Sequence, residues 1–115
     1  MKIYSCSTHY DTSPPTDINP LILQLHEDGK ILVLCAREGM VIRIRKRITE
    51  SGYLKPFQEV HCYGWWDLTG ENYENIVGSK ALLSYTALVL VGPERIDPSY
   101  KPLVDTVLTE VKSIL

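Results

Sequence analysis

The chain has 115 residues, a formal net charge of −2 and a hydrophobic fraction of 44%. That length predicts one domain spanning residues 1–115, able to bury a core without a metal or a disulfide. The near-neutral charge leaves only a local cluster to argue for an anionic partner. Three cysteines, Cys6, Cys35 and Cys62, are an odd number without short-range pairing, which does not fit a secreted disulfide framework. The start, MKIYSCSTHYD, lacks the apolar core of a signal peptide. The apolar run Ala81–Val91 is eleven residues long, against the roughly 20 a membrane span needs. These features predict a soluble, cytoplasmic protein that does not engage a membrane.

Met1–Ser7 has strand composition, and Thr8–Pro20 reads as a loop rich in proline and other turn residues. From Leu21 to Ile48 the pattern predicts a three-stranded antiparallel meander. Asp28-Gly29 is a strong two-residue hairpin signal. With that turn, Leu23, Leu25, Leu32 and Leu34 share one face, while Ile31, Val33 and Cys35 share the other. A three-residue turn at Glu38-Gly39-Met40 then keeps Ile42 and Ile44 with the leucines. It places Arg43, Arg45 and Arg47 together on the opposite face, avoiding unpartnered guanidiniums in the core.

Beyond Thr49 the chain turns, and Phe57–Tyr63 reads as a further strand. A short helix is expected from about Glu71 to Leu83, weakened at Gly78 by roughly 1 kcal/mol relative to alanine. Thr86–Val91 is a buried strand. The last segment is a helix, with Val104, Val107, Leu108, Val111 and Leu115 at helical spacing and Asp97 or Ser99 available as a cap. The expected fold is α+β: a mostly antiparallel sheet of four to six strands, with the C-terminal helix packed on the leucine face.

Chemistry concentrates in the basic segment. Five of the twelve Lys and Arg residues, Arg37, Arg43, Arg45, Lys46 and Arg47, fall within eleven positions. On a strand, Arg43, Arg45 and Arg47 would project about 6.5–7 Å apart, a spacing compatible with a nucleic-acid backbone. Tyr63, Trp65 and Trp66 could add stacking surfaces. The candidate ligand-binding residues are therefore Arg43, Arg45, Arg47, Trp65 and Trp66. The bland alternative is a solvated outer sheet face whose charges guard against aggregation.

Other constellations are weaker. Cys6 with His9, and His61 with Cys62, have opposite strand parity and do not converge on one ion, so no metal site is expected. A nucleophilic Cys35 beside Arg43, with His26 as base, competes with a buried, inert thiol. The junction Gly92–Asp97 carries one glycine and reads as a turn leading to a helix cap. Glu71 and Glu74 read as a solvated helix face. The preferred function is a small non-catalytic binding module, without a cofactor, that presents a basic sheet face to an anionic partner such as single-stranded nucleic acid or a nucleotide. Its rivals are a homo-oligomeric interaction protein joined at the arginine face or at Trp65-Trp66, and a small enzyme acting on a phosphorylated or nucleotide ligand.

Overall fold

The segment Ile31-Leu32-Val33-Leu34-Cys35 has no polar side chain, as suits a strand covered on both faces. All five residues are fully buried. The computed structural model describes residues 1–6, 29–50 and 58–114. Their elements are β1 (Lys2–Cys6), β2 (Lys30–Cys35), α1 (Glu38–Glu50), β3 (Glu59–Gly64), α2 (Glu71–Val77), α3 (Ser79–Ser84), β4 (Ala87–Val91) and α4 (Lys101–Ser113). Short 3-10 turns at Trp65–Asp67, Pro93–Arg95 and Pro98–Tyr100 join them.

The four strands form one sheet in the order β1-β4-β2-β3, and every neighbouring pair is parallel. Ile31 sits between Val60 and Ala87, and Cys35 between Gly64 and Val91. Side chains alternate across this sheet and build two cores. Ile31, Val33, Cys35, Ala87, Val89 and Val91 face Met40, Val41, Ile44 and Ile48 of α1. Leu32, Leu34 and Leu88 face Trp65, Leu68, Ile76, Val77, Leu82 and the α4 residues Val107 and Val111. The helices therefore cover both faces, with α4 on the leucine side.

The expected antiparallel sheet is overturned. Both edges of β2 are occupied by parallel neighbours, β3 and β4, which leaves no place for a hairpin partner at the Asp28-Gly29 turn. The proposed first meander strand, Leu21–His26, lies outside the described residues. The proposed third strand is helix α1, and Glu38-Gly39-Met40 is its first turn. Parallel neighbours require a crossover connection, and α1 provides the one between β2 and β3. Within α1, Met40, Val41, Ile44 and Ile48 are buried at helical spacing, while Ile42 is left 68% exposed. On a strand, Ile42 would share the leucine face with Ile44.

The expected helix over Glu71–Leu83 is two helices that meet at Gly78. This residue is extended (φ −61°, ψ 164°) and ends α2, its N–H donating to the Glu74 carbonyl at 3.1 Å. Its own carbonyl accepts from Leu82 N–H at 2.9 Å in α3. Among the described residues no helix is long and apolar enough to cross a membrane.

Candidate functional site

Where adjacent parallel strands send their following helices to opposite faces, a crevice opens outside their carboxyl ends. β2 and β3 are such a pair. β2 leads into α1 on one face, whereas β3 leads through Trp65–Asp67 into α2 on the other. The resulting crevice has a volume of about 530 Å³, within the usual range of small-molecule sites, roughly 300–1,000 Å³. Helix α1 supplies Glu38, Val41, Ile42 and Arg45 to its wall. The end of β3 and the turn after it supply Tyr63, Trp66 and Asp67, and α2 supplies Asn72, Asn75 and Ile76.

Local chemistry holds these groups in place. Gly64 N–H donates to the Asp67 carboxylate at 3.0 Å, and Leu68 N–H donates to the Trp65 carbonyl at 3.2 Å, closing the turn. Trp65 points into the leucine-side core and is 1% exposed. Trp66 turns the other way, half-buried, and its indole lies over Gly64 where a Cβ would overlap the ring. Glycine at 64 thus lets the indole settle against the strand end. The Arg45 guanidinium donates to the Cys62 carbonyl, which ties α1 to β3 and brings the charge to the crevice.

Because residues advance about 100° each on a helix, Arg43 and Arg47 share a side of α1 and Arg45 lies nearly opposite them. Arg43 and Arg47 line a separate shallow depression with Lys46 and Glu50. The structure thus brings Arg45 and Trp66 of the expected set together. It places Arg43 and Arg47 on another surface and Trp65 in the core. Tyr63, named as a stacking surface from the sequence, joins Arg45 and Trp66. Asp67, Asn72 and Asn75 were not recognised from the sequence; the i, i+3 spacing of the two asparagines at a helix start was their available signal.

Beneath this wall lies a pair of buried thiols. Cys35 and Cys62 Sγ atoms are 3.8 Å apart, and the Cys62 thiol donates to the Val41 carbonyl at 3.7 Å. The hydrogen bond from Cys35 favours the Cys62 thiolate, and the Arg45 charge adds to that, so the Cys62 thiol is held below its ordinary value against the opposing effect of burial. The same bond, together with burial, pushes Cys35 up. Arg45, rather than Arg43, is the guanidinium whose charge reaches these sulfurs. His26, the base considered for Cys35, and His9, considered with Cys6, lie outside the described residues.

His61 faces away from Cys62: its ring packs edge-on against Tyr85 at 5.9 Å, and its Nε2 lies 3.3 Å from a Glu59 carboxylate oxygen. Among the described residues no group of three His, Cys, Asp or Glu side chains is arranged to hold a metal ion. At the Gly92–Asp97 junction, the Asp97 carboxylate accepts from Ser99 N–H at 2.9 Å. That bond lowers the Asp97 pKa. It caps the turn before α4.

No family model, curated protein or solved structure matches the chain.

Proposed function

We propose that the crevice at the ends of β2 and β3 binds a small ligand that joins a flat aromatic ring to an anionic group, with a mononucleotide as the fitting class. The observation that carries this reading is the convergence of Arg45, Trp66 and Tyr63 on one wall system of about 530 Å³. Trp66 and Tyr63 offer ring faces for stacking. Arg45 offers a planar fork of donors to an oxyanion. Asn72 and Asn75 carry both donors and acceptors for a base edge or a hydroxyl. The role is binding rather than catalysis. A reducing, cytoplasmic setting suits the cysteines, which are held as thiols.

Titration with a panel of purine and pyrimidine mononucleotides, followed by tryptophan fluorescence, tests this reading. Saturable binding is expected. Arg45→Gln should weaken it by roughly 10–100-fold, the equivalent of one charge-assisted hydrogen bond. Trp66→Ala should weaken it to a similar degree through lost stacking. Arg43→Gln, on the other side of α1, should bind as the parent does. No saturable binding by any member of the panel, or equal effects of the Arg45 and Arg43 substitutions, would overturn the proposal. Oligonucleotides that bind far more tightly than mononucleotides and lose that advantage in Arg43→Gln would favour nucleic acid instead.

A further inference from the structure

We infer that Cys35 and Cys62 form a reversible oxidation site, at which a hydroperoxide converts the two thiols into one disulfide tying β2 to β3 beneath the crevice. This inference does not depend on what the crevice binds.

The geometry selects this pair among the three cysteines. Cys35 and Cys62 lie on adjacent strands with their sulfurs 3.8 Å apart. Cys6 and Cys35 both flank Val91, one on each side of β4. Two inter-strand spacings of about 4.8 Å therefore separate Cys6 from Cys35, which puts a direct bond out of reach. Cys62 stands opposite Val33, and Cys35 opposite Gly64, so the bonding pair is diagonal. Closing the sulfurs to about 2.05 Å requires a shift of one strand. β3 can supply it, because among the described residues it is the last strand of the sheet and has β2 on one side only.

Access and polarity favour the same pair. Val41 lines the crevice, and its carbonyl accepts from the Cys62 thiol, so the first turns of α1 are the layer between the crevice and the sulfurs. Opening of those turns admits a molecule as small as hydrogen peroxide. Cys62 is the attacking thiol, since the Cys35 hydrogen bond and the Arg45 charge favour its thiolate.

Cys62 Sγ attacks one peroxide oxygen. An S–O bond forms and the O–O bond breaks, and the departing hydroxide takes up the thiol proton as water. Cys35 Sγ then attacks the Cys62 sulfenic acid. The S–S bond forms, the S–O bond breaks, and the second hydroxide leaves as water with the Cys35 proton. The two thiols lose two electrons, and hydrogen peroxide is reduced to two waters. A dithiol reductant reverses the bond by exchange.

The test treats the reduced, full-length chain with stoichiometric hydrogen peroxide, alkylates the remaining thiols in denaturant and maps the peptides by mass spectrometry. Before alkylation the expected product has lost about 2 Da and returns to the starting mass with dithiothreitol; after alkylation it carries a Cys35–Cys62 cross-link within one chain and has Cys6 alkylated. Tryptophan emission should shift on oxidation, because Trp66 rests on Gly64, two residues beyond Cys62. Cys6→Ser should form the same cross-link. Cys62→Ser should form none, with circular dichroism reporting whether it is folded. The wild-type map decides the matter even if that variant unfolds. Thiols that stay fully alkylatable, a cross-link through Cys6 or between chains, or separate oxidation of each cysteine to the sulfinic acid would each overturn the inference.

Discussion

The two faces of the sheet share the same strands and differ in what fills them. On the α1 side the sheet contributes Ile31, Val33, Ala87, Val89 and Val91 with the three cysteines, all small or β-branched, beneath the amphipathic helix α1. On the opposite side Leu32, Leu34 and Leu88 meet the large rings of Trp65 and Tyr85 under α2, α3 and α4. Small residues let α1 lie close to the strands, whereas between the sheet and α2, α3 and α4 the space is filled by aromatic side chains. Arg45 and the thiol pair belong to the α1 side, and the crevice draws on both sides, with Tyr63, Asn72 and Asn75 coming from the leucine side.

Substitutions on the two faces should differ in size. Trp65→Ala removes the largest fully buried side chain and should cost about 3–5 kcal/mol, enough to leave little folded protein. Ile44→Ala, at the centre of the α1 seam, should cost about 2–4 kcal/mol. Urea denaturation of both variants measures the contrast, and a larger loss at Ile44 would reverse the ranking of the faces.

Alkaline titration probes the leucine side through Tyr85. Burial raises the Tyr85 pKa from the ordinary 10.0 to about 12, and its hydroxyl donates to the Ile76 carbonyl at 3.2 Å. The folded state thus binds this proton more tightly than the unfolded chain. The corresponding stability is complete below about pH 10 and is lost as the pH rises towards about 12. Tyr85→Phe should flatten that alkaline decline in denaturation midpoints and cost about 1 kcal/mol at neutral pH. An unchanged alkaline profile would remove Tyr85 as its source.

A further small effect tests the break between α2 and α3. Alanine has the better helix propensity by about 1 kcal/mol, so a continuous helix would gain from Gly78→Ala. In the structure, a Cβ there would overlap the Glu74 carboxylate and crowd its main chain, with the Glu74 Cα at 3.0 Å. A net loss of about 1–2 kcal/mol is therefore expected, and a gain in melting temperature would show that the helices can join.

Several elements were legible because local pattern and final environment agree. Thr86–Val91 contains β4, Met1–Ser7 contains β1, and the stripe Val104, Val107, Leu108 and Val111 marks α4. The parity of β2 was also readable, with Leu32 and Leu34 on one face and Ile31, Val33 and Cys35 on the other. Helix α1 was not. Val41–Ile48 alternates apolar and basic residues at Ile42, Arg43, Ile44, Arg45 and Arg47, and β-branched isoleucines favour a strand. The competing helical stripe Met40, Val41, Ile44 and Ile48 was present in the same letters, at the expense of exposing Ile42. As a consequence, the candidate site was half legible: Arg45, Trp66 and Tyr63 were named, but grouped with residues that lie elsewhere.

What the sequence determined by itself was the existence of β1, β2, β4 and α4, and which residues of β2 share a face, because hydrophobic period and turn chemistry act locally. What only the tertiary structure decided was the direction of the strands, the helical state of Glu38–Glu50 and the meeting of Arg45 with Trp66. The reason is physical. A segment compatible with two periods takes the one its neighbours leave open: with both edges of β2 paired, the basic segment is excluded as a hairpin partner of β2 and packs across the sheet as a helix.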